Sequence, residues 1–176
     1  AYASFQHPIR LRPNLAEAHL ELGVVQELRG KHQAAVDSYR QALRLRPSFP
    51  EALNNLGNAL KSLGKLEEAA DAYRAALRTN PAFVEALYNL ANLLAAQGKV
   101  EEAIARYREV IQLKPDFAPV YNNFGGLLKE LGRLDEALPH FEEALRLDPR
   151  SAAAMNNIGV VLFARQCFVE AADMCR

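Results

Sequence analysis

The sequence has no excess of charge of either sign, no long apolar run and only two cysteines. Lysine and arginine together number 21, as do aspartate and glutamate, so the net charge is zero. A neutral chain argues against a nucleic-acid partner, because phosphate backbones are bound by clustered basic residues. No stretch approaches the roughly 20 consecutive apolar residues that a membrane-spanning helix needs, so we expect no membrane insertion.

The two cysteines and four histidines form no pattern typical of a chemical site. In a helix, Cys167 and Cys175 would lie ~12 Å apart, too far for a disulfide. Free thiols fit a reducing compartment, and we expect a cytoplasmic location. The histidines show no metal-ligand spacing, and no nucleophile–base pair or glycine-rich phosphate loop is visible. The sequence therefore predicts no enzyme activity, no metal and no cofactor.

The sequence does contain a repeat with a period of 34 residues, marked by prolines at positions 13, 47, 81, 115 and 149. Self-similarity at a fixed period predicts a stack of identical supersecondary units. We expect one all-α solenoid domain, in which residues 1–15 are the remnant of a preceding repeat. The predicted repeats 1 to 5 are residues 16–49, 50–83, 84–117, 118–151 and a truncated 152–176.

Each repeat contains two helical patterns separated by a glycine. In repeat 2, Leu53, Leu56, Gly57 and Leu60 share one face of a helix with 3.6 residues per turn. Gly64 can end that helix, and a second apolar set begins at Leu66. In repeat 5 we expect a first helix over 152–165, followed by the start of a second. Ser48 and Asp116 are the predicted N-caps of the first helices in repeats 2 and 4.

Particular places within the repeat carry the same kind of residue each time. The eighth place is small (Gly23, Gly57, Ala91, Gly125, Gly159), the twentieth is alanine (Ala35, Ala69, Ala103, Ala137, Ala171), and the twenty-fourth is aromatic in four repeats (Tyr39, Tyr73, Tyr107, Phe141). This pattern resembles the tetratricopeptide repeat family. The resemblance implies an α–α superhelix of antiparallel helix pairs that binds protein or peptide partners.

In that architecture the first helices line the inner, concave surface. The sixth place of these helices is asparagine in four consecutive repeats, at Asn55, Asn89, Asn123 and Asn157. A carboxamide offers donors and an acceptor that match the groups of an extended backbone. The column resembles the asparagine ladder of O-linked N-acetylglucosamine transferases, which holds a substrate polypeptide by its main chain. The other predicted peptide-binding residues of this groove are Asn58, Asn92, Tyr88, Glu51 and Glu85.

Two questions stay open at the level of sequence. The asparagines can bind a peptide, or they can hydrogen-bond between neighbouring repeats, and both roles can hold together. The chain can be a non-catalytic interaction scaffold, or the substrate-recruiting arm of a larger enzyme such as a glycosyltransferase of the kind named above. A third hypothesis is a self-assembling scaffold, a homo-oligomer formed through exposed repeat ends.

Overall fold

A computed structural model describes residues 15–174, with side chains up to residue 166. This range contains nine α-helices and no strand. The helices are α1 Ala16–Leu28, α2 His32–Leu45, α3 Pro50–Ser62, α4 Leu66–Thr79, α5 Val84–Ala96, α6 Val100–Leu113, α7 Ala118–Glu130, α8 Leu134–Leu147 and α9 Ala152–Met174. The two helices predicted for each of repeats 1 to 4 are confirmed. The predicted remnant of an earlier repeat lies almost wholly outside the described residues.

The chain divides into two compact units, residues 1–93 and 94–176, and the division falls within α5. In the first unit α1 packs against α2, α2 against α3, and α3 against α4. In the second unit α7 packs against α8, and α9 packs against α8 and α7. The core of each unit combines the small and aromatic residues that recur in the sequence with buried leucines and valines.

The reversal between the helices of a repeat depends on one glycine. Gly30, Gly64, Gly98 and Gly132 have φ between 70° and 75°, a left-handed conformation that side chains with a Cβ rarely adopt. The glycine N–H bonds a carbonyl three residues earlier, as from Gly64 to Lys61 at 2.9 Å. The next N–H closes the turn, from Lys65 to Leu60 at 2.9 Å.

Repeat 5 has no such reversal, and the prediction of two helices there was wrong. Gln166 occupies the place of the turn glycine, and α9 runs as a single helix from Ala152 to Met174. Glutamine is a good helix former and has no preference for left-handed angles. The helix therefore continues through the position where the other four repeats turn back.

The eighth and twenty-fourth places meet where the two helices of a repeat cross. A Cβ placed on Gly57 would lie 2.5 Å from Cε1 of Tyr73, and one on Gly125 would lie 2.8 Å from Cε1 of Phe141. The Tyr39 ring covers Gly23 in the same way. All three rings are fully buried. In repeats 1, 2 and 4 the aromatic side chain therefore fills the space beside a close helix crossing.

The predicted N-caps were wrong by one residue. The N-cap of α3 is Phe49 and that of α7 is Phe117, and neither helix start has a side-chain cap hydrogen bond. A proline follows within two residues and supplies a backbone already set for the first turn. Phe49 is buried at this position, and the Arg46 guanidinium lies 3.4 Å from its ring centroid. Aromatic packing thus replaces the polar cap that Ser48 was expected to provide.

Candidate functional site

The predicted site residues lie on the first helices of their repeats, and the sixth-place asparagines are half-buried in all four. Asn55 and Asn89 belong to the first unit, and Asn123 and Asn157 to the second. None of the four is sealed in the core, so each has a part that solvent reaches. Of the remaining predicted residues, the two carboxylates are exposed and the others are half-buried (Glu51, Glu85, Asn58, Tyr88, Asn92).

In the first unit, three asparagines form a chain of hydrogen bonds that joins repeat 3 to repeat 2. Nδ2 of Asn89 donates to Oδ1 of Asn54 at 2.9 Å. Nδ2 of Asn54 points to Oδ1 of Asn55 at 3.4 Å. Asn54 is 6 % exposed, and a buried carboxamide is costly unless it is hydrogen-bonded. We call Asn54, Asn55 and Asn89 the amide relay.

The second unit repeats the central bond of the relay. Nδ2 of Asn157 donates to Oδ1 of Asn122 at 3.1 Å, across the same separation of 35 residues. Oδ1 of Asn157 accepts a hydrogen bond from Nζ of Lys129 at 2.7 Å. Both ends of the Asn157 side chain are therefore engaged between repeats 4 and 5. The inter-repeat role that the sequence left open is filled at Asn89 and Asn157.

The relay leaves part of its hydrogen-bonding capacity unused. Among the described residues, Nδ2 of Asn55 and Oδ1 of Asn89 have no hydrogen-bond partner. Asn58 also uses only its side-chain oxygen, because its Oδ1 accepts a hydrogen bond of 2.7 Å from the Tyr73 hydroxyl. Burial raises the pKa of Tyr73, so its phenol stays protonated and can donate this bond. The first unit thus presents carboxamides that are held at one end and open at the other.

A tetratricopeptide repeat profile matches residues 54–116 and 124–176, and a second profile, described as a TPR repeat, matches residues 28–64. The chain belongs to the tetratricopeptide repeat (TPR) family. Its fold class is therefore that of an all-α TPR solenoid built from antiparallel helix pairs, as the residue pattern predicted. No curated protein sequence matches the chain.

Solved TPR structures resemble this chain over most of its length. The structure of MamA is 27 % identical, covers 86 % of this chain and 88 % of its own, and superposes with a TM-score of 0.77. YrrB, described as a TPR protein with an unusual peptide-binding site, is 25 % identical, with coverages of 94 % and 86 % and a TM-score of 0.76. PilF of Pseudomonas aeruginosa is 26 % identical, with coverages of 90 % and 72 % and a TM-score of 0.81.

The second member of each inter-repeat bond was missed by sequence reasoning. Asn54 and Asn122 stand at the fifth place of their TPRs, immediately before the sixth-place asparagine. The signal that could have found them is the asparagine doublet, which occurs as Asn54-Asn55, Asn122-Asn123 and Asn156-Asn157. The side chains of two adjacent asparagines on a helix point in different directions, so one can hydrogen-bond to the next repeat while the other faces solvent.

A cavity of about 330 Å³ lies in the second unit, between α6, α7 and α8. Its lining includes the apolar Phe124 and Leu128 and the charged Arg108 and Glu136. The His140 ring lies 4.4 Å from the Phe124 ring, centroid to centroid. Burial lowers the pKa of His140 below its ordinary value of 6.5, and the nearby Arg108 acts in the same direction. The imidazole is therefore neutral at pH 7 and behaves as a packing residue.

Groups that could hold a metal ion are lacking within residues 15–166, because no three side chains among histidine, cysteine, aspartate and glutamate converge there. Across the part of the chain that the structure describes, no helix is both long enough and apolar enough to cross a bilayer. The titratable groups that do meet include exposed ion pairs within a helix, such as Arg146 with Glu143 at 2.7 Å. Pairs of this kind are ordinary features of solvated helix faces.

Proposed function

We propose that the chain is a non-catalytic scaffold that binds an extended peptide, or an extended segment of a partner protein, on the asparagine-lined face of its first helices. The observation that carries the proposal is the state of the amide relay. Asn89 is fixed through Asn54, yet its Oδ1 and the Nδ2 of Asn55 remain available. A cytoplasmic setting, in which thiols stay reduced, belongs to the same proposal.

The chemistry favours main-chain recognition. A carboxamide can donate to a backbone C=O and accept from a backbone N–H, and it does so regardless of the ligand's side chains. Holding Asn89 through Asn54 fixes its side chain before a ligand arrives, which reduces the entropy lost on binding. The exposed carboxylates of Glu51 and Glu85 border this face and favour ligands without negative charge nearby.

The expected affinity is modest. Each net hydrogen bond contributes about 0.5–1.5 kcal/mol, and ordering a flexible ligand offsets much of that gain. A few such bonds give dissociation constants on the order of micromolar or weaker. Membership of the TPR family supports a protein-binding role, and the similarity to YrrB supports a peptide ligand.

The test compares two asparagine-to-alanine variants in one pull-down, with bound proteins read by mass spectrometry. The groove variant replaces Asn55 and Asn89, and the matched control replaces Asn156. That residue is exposed at the fifth place of repeat 5, where the described structure shows no hydrogen bond to its side chain. Synthetic peptides from the captured partners are then titrated against both variants and the original chain.

We expect the groove variant to bind about tenfold to a hundredfold more weakly, which corresponds to losing roughly 1.4–2.8 kcal/mol. The control should bind as the original chain does, and circular dichroism should show the same helical content in all three proteins. Equal affinity of the groove variant and the original chain would refute the proposal.

A further inference from the structure

The final helix, α9, is apolar around most of its circumference. Between residues 152 and 166 it contains one charged residue, Arg165, which pairs with Asp135 at 3.2 Å. Its inner side buries Ala154 and Val161 completely within the second unit. The side facing away carries a second apolar stripe, formed by Met155, Gly159, Leu162 and Phe163. A helix that is apolar on all sides is normally covered on all sides.

The outer stripe of α9 corresponds to a face that is covered in other repeats. Leu162 is at the eleventh place and is 51 % exposed, whereas the leucines at this place in repeats 2, 3 and 4 are at most 2 % exposed (Leu60, Leu94, Leu128). Gly159 is at the eighth place, yet a Cβ built on it would contact no other side chain or packed helix within 4 Å among the described residues. In repeats 1, 2 and 4 the second helix of the same repeat brings a ring onto this glycine. Because α9 continues straight, its glycine has no ring.

We propose that a second molecule of this chain covers the outer stripe, through an antiparallel pairing of two α9 helices about a two-fold axis. The Phe163 ring of each molecule packs on Gly159 of the other. Gly159 and Phe163 are about one helical turn apart, roughly 6 Å along the helix. A two-fold axis that passes midway between them therefore places the Phe163 of each molecule opposite the Gly159 of the other. A single surface then provides both halves of the contact, as an isologous interface requires.

Three observations favour a second molecule of this chain over an unrelated partner. The Phe163 ring is 73 % exposed. The packing it would form is the one that the chain already uses between Tyr73 and Gly57. None of the four residues of the stripe is charged, so the stripe does not repel a second copy of itself. A partner of different chemistry would leave one half of this matched pair unused.

The pairing buries one helix face on each molecule, which is less than the roughly 800 Å² per partner of a standard interface. We therefore expect a weak dimer that forms as concentration rises. The inference depends on α9 alone, so it stands or falls independently of peptide binding by the asparagines.

Sedimentation velocity over a roughly hundredfold range of concentration provides the first test, and the original chain should shift from monomer to dimer. Phe163→Ala removes the ring, and Gly159→Leu fills the recess. Each variant alone should raise the dimer dissociation constant about tenfold or more. Two matched controls should dimerise normally, namely Leu28→Ala, which removes an 83 % exposed side chain from α1, and Gly126→Leu, which adds a side chain at another helical glycine with open surroundings.

Mixing the two variants gives the sharper test. The Gly159→Leu molecule still supplies an intact Phe163, and the Phe163→Ala molecule still supplies an intact Gly159, so one of the two ring contacts can form. At the other contact, the introduced leucine side chain faces the introduced alanine and fills the space of the missing ring. The mixture should recover dimer at concentrations where each variant alone is monomeric. The inference is overturned if the original chain stays monomeric throughout, if both variants dimerise as well as it does, or if mixing restores nothing.

Discussion

Gly57 and Gly159 occupy the same place in repeats 2 and 5, but their surroundings are opposite. Gly57 lies under the Tyr73 ring, whereas in the described part of the chain no ring or packed helix lies within 4 Å of where a Gly159 side chain would begin. The two helices have the same small residue, but only one has a returning helix to pack against it. The comparison shows that the repeat motif specifies a recess, and that a separate signal, the turn glycine, decides whether the chain fills it.

The largest expected effect comes from removing the ring where the recess is filled. Tyr73→Ala should lower the free energy of unfolding by about 3–5 kcal/mol, because a fully buried aromatic is replaced by a cavity. Phe163→Ala removes an exposed ring, and at concentrations where the chain is monomeric it should change the free energy of unfolding by no more than about 0.5 kcal/mol. Urea denaturation monitored by circular dichroism measures both. Similar losses would contradict the described contrast between the two rings.

Adding one methyl group to each glycine should change stability in opposite directions. Gly57→Ala places a Cβ against the Tyr73 ring and should cost about 1–3 kcal/mol through overpacking. Gly159→Ala meets no neighbour and should stabilise α9 by about 0.5–1 kcal/mol, because alanine restricts the unfolded chain and favours helix. Thermal unfolding of the two variants at one low protein concentration makes the comparison. If Gly57→Ala instead raised the stability, the two helices of repeat 2 would cross less tightly at Gly57 than described.

A smaller effect is expected at the edge of the filled recess. Tyr73→Phe keeps the ring but removes the hydroxyl that donates to Asn58 at 2.7 Å, and should cost about 0.5–1.5 kcal/mol. In an Asn58→Ala background the same substitution should cost less, because the bond is already broken. A double-mutant cycle measures the difference. Equal losses in both backgrounds would mean that this hydrogen bond contributes nothing.

The smallest expected effect is a pH dependence at the crossing of repeat 4, where His140 precedes the Phe141 ring and repeat 2 has Ala72. Burial, with Arg108, lowers the pKa of His140 in the folded state, while Glu136 acts weakly in the opposite direction. Protonation therefore favours the unfolded chain, and stability should fall as the pH drops through about 6.5. Replacing His140 with glutamine should reduce the decrease in the free energy of unfolding between about pH 7.5 and pH 5, which urea denaturation measures. An unchanged pH profile would contradict this assignment.

Much of the fold follows from the sequence because the repeat is regular. The helices of repeats 1 to 4 follow from apolar spacing such as Leu53, Leu56 and Leu60, together with the glycine after each first helix. Repeat 5 was misjudged because the periodic pattern was extended through Gln166. That single residue lacks the conformational freedom of the glycine it replaces, and a helix continues unless something ends it.

The inter-repeat hydrogen bonds were harder to predict. A sixth-place asparagine on a helix is visible in the sequence, but the atom that it bonds belongs to a residue 35 positions earlier. Asn54 and Asn122 become its partners only when two repeats stack. The alternatives for the asparagine column therefore stayed open until distances were known, and its role toward a ligand stays a prediction.

The two ends of the amide relay also differ in what they can offer a ligand. Asn89 uses one hydrogen of Nδ2 on Asn54 and keeps the other hydrogen and its oxygen, whereas Asn55 keeps both Nδ2 hydrogens and has its oxygen engaged at 3.4 Å. In the proposed complex Asn89 can therefore both donate to and accept from a main chain, and Asn55 acts mainly as a donor. A ligand that lacks backbone N–H groups, such as a proline-rich segment, would keep its partner at Asn55 and lose the bond to the Asn89 oxygen.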